Sequence, residues 1–202
     1  MSPIERLTRL LGLLGRSLRC RRGSVAMEAA FMLPLALLMA VGCLDAARYL
    51  SLAASADQTA LALADAVSRA DAVRDRPAED DLTQSTDTGA YFALARILAQ
   101  PLDLGTSGAV TISSVTGGGA GAATVNWMRA TGPAAGADPG RLATLPPLPA
   151  GRAFIVAEVF FEFEPAVVGR AALASLLGEQ PTIYRRALFR TRSAPLTTLA
   201  AP

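Results

Sequence analysis

The sequence predicts an α+β protein: a long N-terminal membrane-spanning helix continuing into a small exported domain with an antiparallel sheet. Three observations carry this. Val25–Leu44 is a run of 20 residues with Glu28 as its one charge. A stripe at helical spacing continues beyond it, through Leu52, Ala56, Ala60, Leu63, Val67, Ala70 and Val73. Two runs near the C-terminus, 154–164 and 183–192, instead alternate with period two. A helix of 20 residues spans ~30 Å, the thickness of the hydrocarbon core of a bilayer.

Charge around the apolar run sets the predicted orientation. Arg6, Arg9, Arg16, Arg19, Arg21 and Arg22 precede it, and Asp45 is the first charge after it. By the positive-inside rule the N-terminus stays cytoplasmic and the chain after Asp45 is exported. Residues 1–22 read as an amphipathic surface helix, with Leu7, Leu10, Leu11, Leu14 and Leu18 on one face. The expected division is a basic leader over 1–23, the membrane helix and its exported extension over 24–75, and an α+β domain over 76–202. Ala54-Ser55-Ala56 also fits a signal-peptidase site, although Asp45 and Arg48 interrupt the approach to it. Val41-Gly42-Cys43 is a weak lipoprotein-box alternative, with Ala40 where a large aliphatic is usual.

Glu28 is costly inside an apolar run, by ~2.5–3.5 kcal/mol at mid-membrane and less near the interface. One reading has it snorkelling to the headgroups or protonated. Another starts from Gly23, five residues before it. A basic leader, a Gly and a Glu at that spacing, opening an apolar helix, is the layout of a type IV prepilin cleavage site. Cleavage after Gly23 would free the amine of Ser24. That cation would pair with Glu28 of a neighbouring subunit, neutralising both charges in lipid in one axial register.

The segment Arg22-Gly-Ser-Val-Ala-Met-Glu-Ala-Ala-Phe-Met-Leu-Pro-Leu-Ala-Leu-Leu, with Gly42 and Asp45-Ala-Ala-Arg48-Tyr after it, resembles the N-terminal signature of TadE/TadG-like proteins. These are minor pilins or pseudopilins of the tight-adherence (Flp) pilus system. The matching features are Gly23, Glu28, Pro34 six residues later, and the small-then-polar exit. The residue after the glutamate, a tyrosine in Flp prepilins, is Ala29 here. The resemblance implies a single-pass subunit of the bacterial inner membrane. Its implied partners are membrane lipid, other pilus subunits, the assembly machinery and a prepilin peptidase.

Further elements follow in order. Pro34 removes one backbone hydrogen bond and should bend the membrane helix. The helical stripe should end near Arg74, before Pro77. Its Ala-rich face suits close packing, either on a partner helix or on the chain's own domain. Residues 75–87 form a polar connector, where Glu79, Asp80 and Asp81 lack the ordered ligand spacing of a calcium loop. Asp87 is the expected N-cap of a helix from Thr88 to about Ala99, with Tyr91, Ala95 and Leu98 inward. Val110–Val115 and Thr124–Met128 are β-prone runs joined by a Gly-rich hairpin loop, which lacks the Lys-Ser/Thr of a phosphate loop. Residues 130–151, rich in Pro, Gly and Ala, read as a flexible surface loop or a partner contact.

In Phe154–Glu164, Ile155, Ala157, Val159, Phe161 and Phe163 share an apolar face, and Glu158, Glu162 and Glu164 lie opposite. A short helix or turn over Ala166–Leu177 follows. In Ile183–Arg192, Arg186, Arg190 and Arg192 share a face. Antiparallel pairing of the two runs would set these glutamates against these arginines on an exposed sheet surface. The order of a strand ending in Pro165 and a last strand ending in Arg192 is also similar to the C-terminal pattern of TadE-like pilins.

Composition limits the chemistry. The chain has no His and no Lys, which removes imidazole catalysis and the commonest metal ligand. Cys20 and Cys43 fall in the leader and membrane helix, so no zinc site or exported disulfide is expected, and no cofactor. Glu158, Glu162 and Glu164 imitate a glycosidase carboxylate set, but ion pairs with the arginine strand explain them better, and the expectation is a non-enzyme. Of 19 basic and 17 acidic residues, the leader holds six and one; the rest, 13 against 16, carries −3. The basic pI is a leader property, pointing to anionic lipid and not to nucleic acid. Protease added to osmotically opened cells is expected to digest the chain beyond Asp45 while the leader survives; protection of that region would overturn the orientation.

Overall fold

A computed structural model describes residues 21–77, 82–83, 86–119, 123–132, 142, 144–165 and 182–201. The leader to residue 20, the acidic triplet 79–81 and the expected helix 166–177 lie outside the described residues. Two helices and four strands follow in order: α1 (Arg21–Ser68), α2 (Thr88–Leu98), β1 (Gly108–Thr116), β2 (Thr124–Thr131), β3 (Ala153–Glu162) and β4 (Thr182–Arg190). The chain divides into two compact units at Ala46/Ala47.

The first unit contains the N-terminal part of α1. Its Val25, Met27, Phe31, Met32, Leu33, Leu35, Leu37, Leu38, Met39 and Leu44 are all exposed. From Met27 onward this is a helix long and apolar enough to cross a membrane; an 18-residue stretch of it has a mean hydropathy of 2.0 and no buried residue. The helix runs through Pro34 without interruption. Pro34 has no N–H to donate, so the Ala30 carbonyl loses its partner one turn on.

The second unit is a four-stranded antiparallel sheet, order β2-β1-β3-β4, with helices on one face. Its central strands are the most buried: all nine β1 residues but the last, and the first eight of β3, are buried. The expected antiparallel pairing of the two C-terminal runs is present, from Phe154 opposite Arg190 to Glu162 opposite Thr182. Val110, Ile112, Ile155, Ala157, Val159, Ile183 and Ala187 share the main core with Ala53, Ala56, Ala60, Leu63, Ala64 and Val67 of α1. The helical stripe thus packs on the chain's own domain. Tyr49 meets Phe163 edge-on at 5.3 Å, and Ser55 donates to the carbonyl of Ala99 at 3.0 Å, tying α1 to the end of α2.

α1 stops at Ser68, short of the expected Arg74. The Arg69 and Ala70 amides turn back on the Ala66 and Val67 carbonyls, closing the last turn. Arg192 then donates its amide to the Ser68 carbonyl, and the Ser193 hydroxyl caps the Arg69 carbonyl. Val73 and Arg74 are needed elsewhere: Arg74 bridges both Asp87 and Ala200 in strand-like pairing. α2 begins where expected, but Asp87 makes no capping hydrogen bond. Inward on α2 are Tyr91, Phe92 and Ala95, whereas Leu98 is 40% exposed. Phe92 follows Tyr91 directly and takes the inward place expected of Leu98.

The β1–β2 pairing skips Asn126, because Ser114 faces Trp127 and Val115 faces Val125. The Asn126 amide reaches the hydroxyls of Ser114 at 3.1 Å and Thr116 at 2.9 Å, which holds this bulge. Gly132 closes β2 at φ 101°, and a Cβ there would stand 2.3 Å from the Gly108 carbonyl. The second sheet face is not an open surface. Leu142 and Leu148, from the segment expected to be a loop, are buried with Val115, Phe154 and Val156.

Alanine at the helix–sheet contact predicts intolerance of bulk. Ala60→Leu is expected to destabilise by ~1–3 kcal/mol through overpacking, whereas Ala54→Leu, on the exposed side of the same helix, stays within ~0.5 kcal/mol. Chemical denaturation of the detergent-solubilised chain distinguishes the two.

Candidate functional site

The residues singled out in the sequence fall in two places. Gly23, Ser24 and Glu28 lie in the first two turns of α1, with Pro34 farther along it. The Glu28 side chain is exposed on the helix surface. Gly23 and Ser24 are in helical backbone, so the bond between them is one that unwinds only where the helix end frays.

The sheet residues assemble differently from expectation. Glu158 does stand directly opposite Arg186, and parity puts Glu162 and Arg190 on the same face. That face is closed, however, and Glu158 is fully buried. Its carboxylate accepts the Tyr184 hydroxyl, not the guanidinium of Arg186. Arg186 turns outward and donates to the Thr144 hydroxyl at 3.2 Å. The physical reason is that Leu142, Leu145 and Leu148 exclude water from this face, and a guanidinium is harder to desolvate than a phenol. Arg190 faces Phe154, Glu162 faces Thr182, and Glu164 lies beyond the strand. Arg192 also lies beyond its strand and pairs with Asp65 of α1 at 3.0 Å, Asp65 binding Arg69 as well. Of the six residues expected on an ion-pair surface, Glu158 instead makes a buried hydrogen bond and Arg192 a helix-end ion pair.

Glu158 belongs to a buried polar row. Thr111 is its neighbour on β1, and Ser113 lies two residues along. Both hydroxyls, and the second carboxylate oxygen of Glu158, have no hydrogen-bond partner among the described residues. Sealed from water, Glu158 cannot meet a substrate. Glu162 and Glu164 instead line an open cleft of ≈ 360 Å³ with Arg48, Ser51, Leu52, Pro101, Ser107 and Phe161. No cluster of His, Cys, Asp or Glu among the described residues has the makings of a metal site.

A two-point ion pair between Arg129 and Asp75 was not anticipated. Arg129 on the edge strand β2 grips Asp75 through two parallel bonds, Nε to Oδ1 at 2.7 Å and Nη2 to Oδ2. Beside it the buried Trp127 donates to the Leu196 carbonyl at 2.7 Å. Together they fasten β2 to the chain after α1 and to the C-terminal tail, whose Ala200 accepts the Asp75 amide. The Arg129 guanidinium holds the Asp75 carboxyl below its ordinary range, chiefly through the hydrogen bond. No sequence signal links positions 54 residues apart on different elements.

No protein-family model, curated protein or solved structure matches this chain.

Asp75→Asn is expected to cost about 1 kcal/mol, since the pair is about one-third exposed and screened. The folded-state pKa is lowered, so the stabilisation is complete above the unfolded value and is lost as pH falls through the folded one. The stability gap between wild type and Asp75→Asn should therefore be flat near neutrality and shrink below about pH 4. Denaturant midpoints measured from pH 7 to pH 3 check this.

Proposed function

We propose that this chain is a minor pilin-like membrane subunit acting in assembly of a Tad/Flp-type pilus for surface adherence. The observation that carries the reading is α1 itself. A single helix presents an exposed apolar run at one end and supplies the core stripe of a sheet domain at the other. Gly23, Ser24 and Glu28 stand in its first turns at prepilin spacing.

In this mechanism a peptidase at the inner membrane removes the arginine leader, which retains the N-terminus in the cytoplasm. The new Ser24 amine then meets Glu28 of an adjoining subunit. In lipid the two charges gain most when both are neutralised, so the pair selects one axial register as helices gather into a bundle. The sheet domain travels with the helix and is presented on the filament or held at the membrane.

A second reading is an unprocessed single-pass accessory or binding protein of the cell envelope. The observation favouring it is that the Gly23–Ser24 bond lies within helical backbone, so cleavage requires the first turn to unwind.

Mass spectrometry of the mature N-terminus separates the readings. A chain beginning at Ser24 is expected from the pilin reading; one beginning at Met1 or Ser2 selects the accessory protein. If Ser24 is found, Glu28→Gln should leave membrane insertion intact and lower filament yield at least tenfold, because the amide cannot neutralise the amine. Filament yield equal to wild type would limit Glu28 to the headgroup region.

A further inference from the structure

The end of the sheet where β3 begins and β4 finishes carries a concentration of positive charge that none of the preceding roles uses. Arg152, Arg190 and Arg192 line one shallow depression of ≈ 230 Å³ with Thr191 and Ser193, and no carboxylate among the described residues lines it. Arg152 and Arg190 are exposed, and their guanidinium groups have no ion pair or hydrogen bond among the described residues. The remainder of the chain after the leader is net negative, so this cluster opposes the prevailing charge.

Local structure holds it in place. The Thr191 amide and hydroxyl both donate to the Ala153 carbonyl, at 3.2 and 3.3 Å. Arg192 is anchored by its amide on Ser68 and its guanidinium on Asp65, half of its side chain remaining accessible. The three guanidinium groups therefore project from adjacent strand ends, whose backbones are ~4.8 Å apart. Ser68 also fixes where this end lies: it closes α1, 21 residues and ~32 Å of helix beyond Ala47, where the domain begins.

We infer that this arginine end binds an acidic polysaccharide, its carboxylates paired with Arg152 and Arg190. Guanidinium forks match planar carboxylates in two-point contacts. The depression is open, so each contact is screened and weak by itself. A polymer repeating its carboxylates engages the arginines together, and multivalency supplies the affinity that a single ion lacks. The inference stands independently of whether the chain enters a filament.

The test uses the full chain in neutral detergent micelles, with the six leader arginines changed to glutamine to remove their own affinity for polyanions. Binding to immobilised alginate is measured at rising salt. Arg152→Gln with Arg190→Gln should weaken it at least fivefold, and the corresponding double lysine variant should recover most of the loss. Arg96→Gln, an exposed charge on α2, should leave it unchanged. Equal loss in Arg96→Gln, or no loss in the double variant, would overturn the proposal. Stronger retention on phosphatidylglycerol vesicles than on alginate, abolished by the same double variant, would overturn it in favour of a lipid surface.

Discussion

The packing of α1 against the sheet is the constraint on which the domain depends. Ala53, Ala56, Ala60 and Ala64 of the helix share one buried core with Leu63, Val67 and the strand residues. Small residues stand on both elements, Ala157 and Ala187 among those on the strands. The two central strands of the sheet are buried over nearly their whole length. With α1 on one face and Leu142 and Leu148 on the other, β3 meets no bulk water until Phe161.

Burial on both faces changes what polar groups do. On an open sheet, Glu158 and Arg186 would be an ordinary cross-strand pair of modest value. Closed over by leucines, the same register leaves the carboxylate with the Tyr184 hydroxyl, stacked on Phe160, and sends the guanidinium to Thr144. The unmatched hydroxyls of Thr111 and Ser113 lie in the same row. This is the least satisfied part of the described core, and an unpaired polar group in low dielectric is costly. Two exposed ion pairs lie instead where elements end: Asp65 with Arg192 at the close of α1, and Asp75 with Arg129 at the sheet edge. They join segments distant in sequence, as does the Trp127–Leu196 bond, so the C-terminal tail and the edge strand are fastened to the helix layer.

A single helix also serves two environments. Its apolar N-terminal run has its side chains exposed, the composition expected of a helix that meets lipid or other helices. Its C-terminal stripe is filled by its own domain. Such a division keeps the sheet domain's core independent of whatever the first unit meets. The pilus reading requires that independence, because a subunit moving from membrane to filament must keep its fold while the surroundings of its helix change.

How much of this was legible without coordinates depends on the range of the interaction involved. Periodicity exposed the two parts of α1, the helix after Asp87, all four strands and the antiparallel pairing of β3 with β4, since each is written in local spacing. The glycine run after β1 marked its connection to β2, and Gly23, Glu28 and Pro34 were visible as a motif. Local spacing does not say whether a face is covered, so Glu158 was expected on an exposed surface and Leu142 and Leu148 in a loose loop. Nor does it show which distant partner wins a charge: Arg192 was assigned to glutamates on its neighbouring strand, but its place beyond the strand end delivers it to Asp65. The end of α1 and the partner of Asp75 were likewise decided by the C-terminal tail and edge strand folding back on the helix. Local composition determined the elements and their amphipathic faces; tertiary packing decided which faces lost water, and burial then selected each polar group's partner.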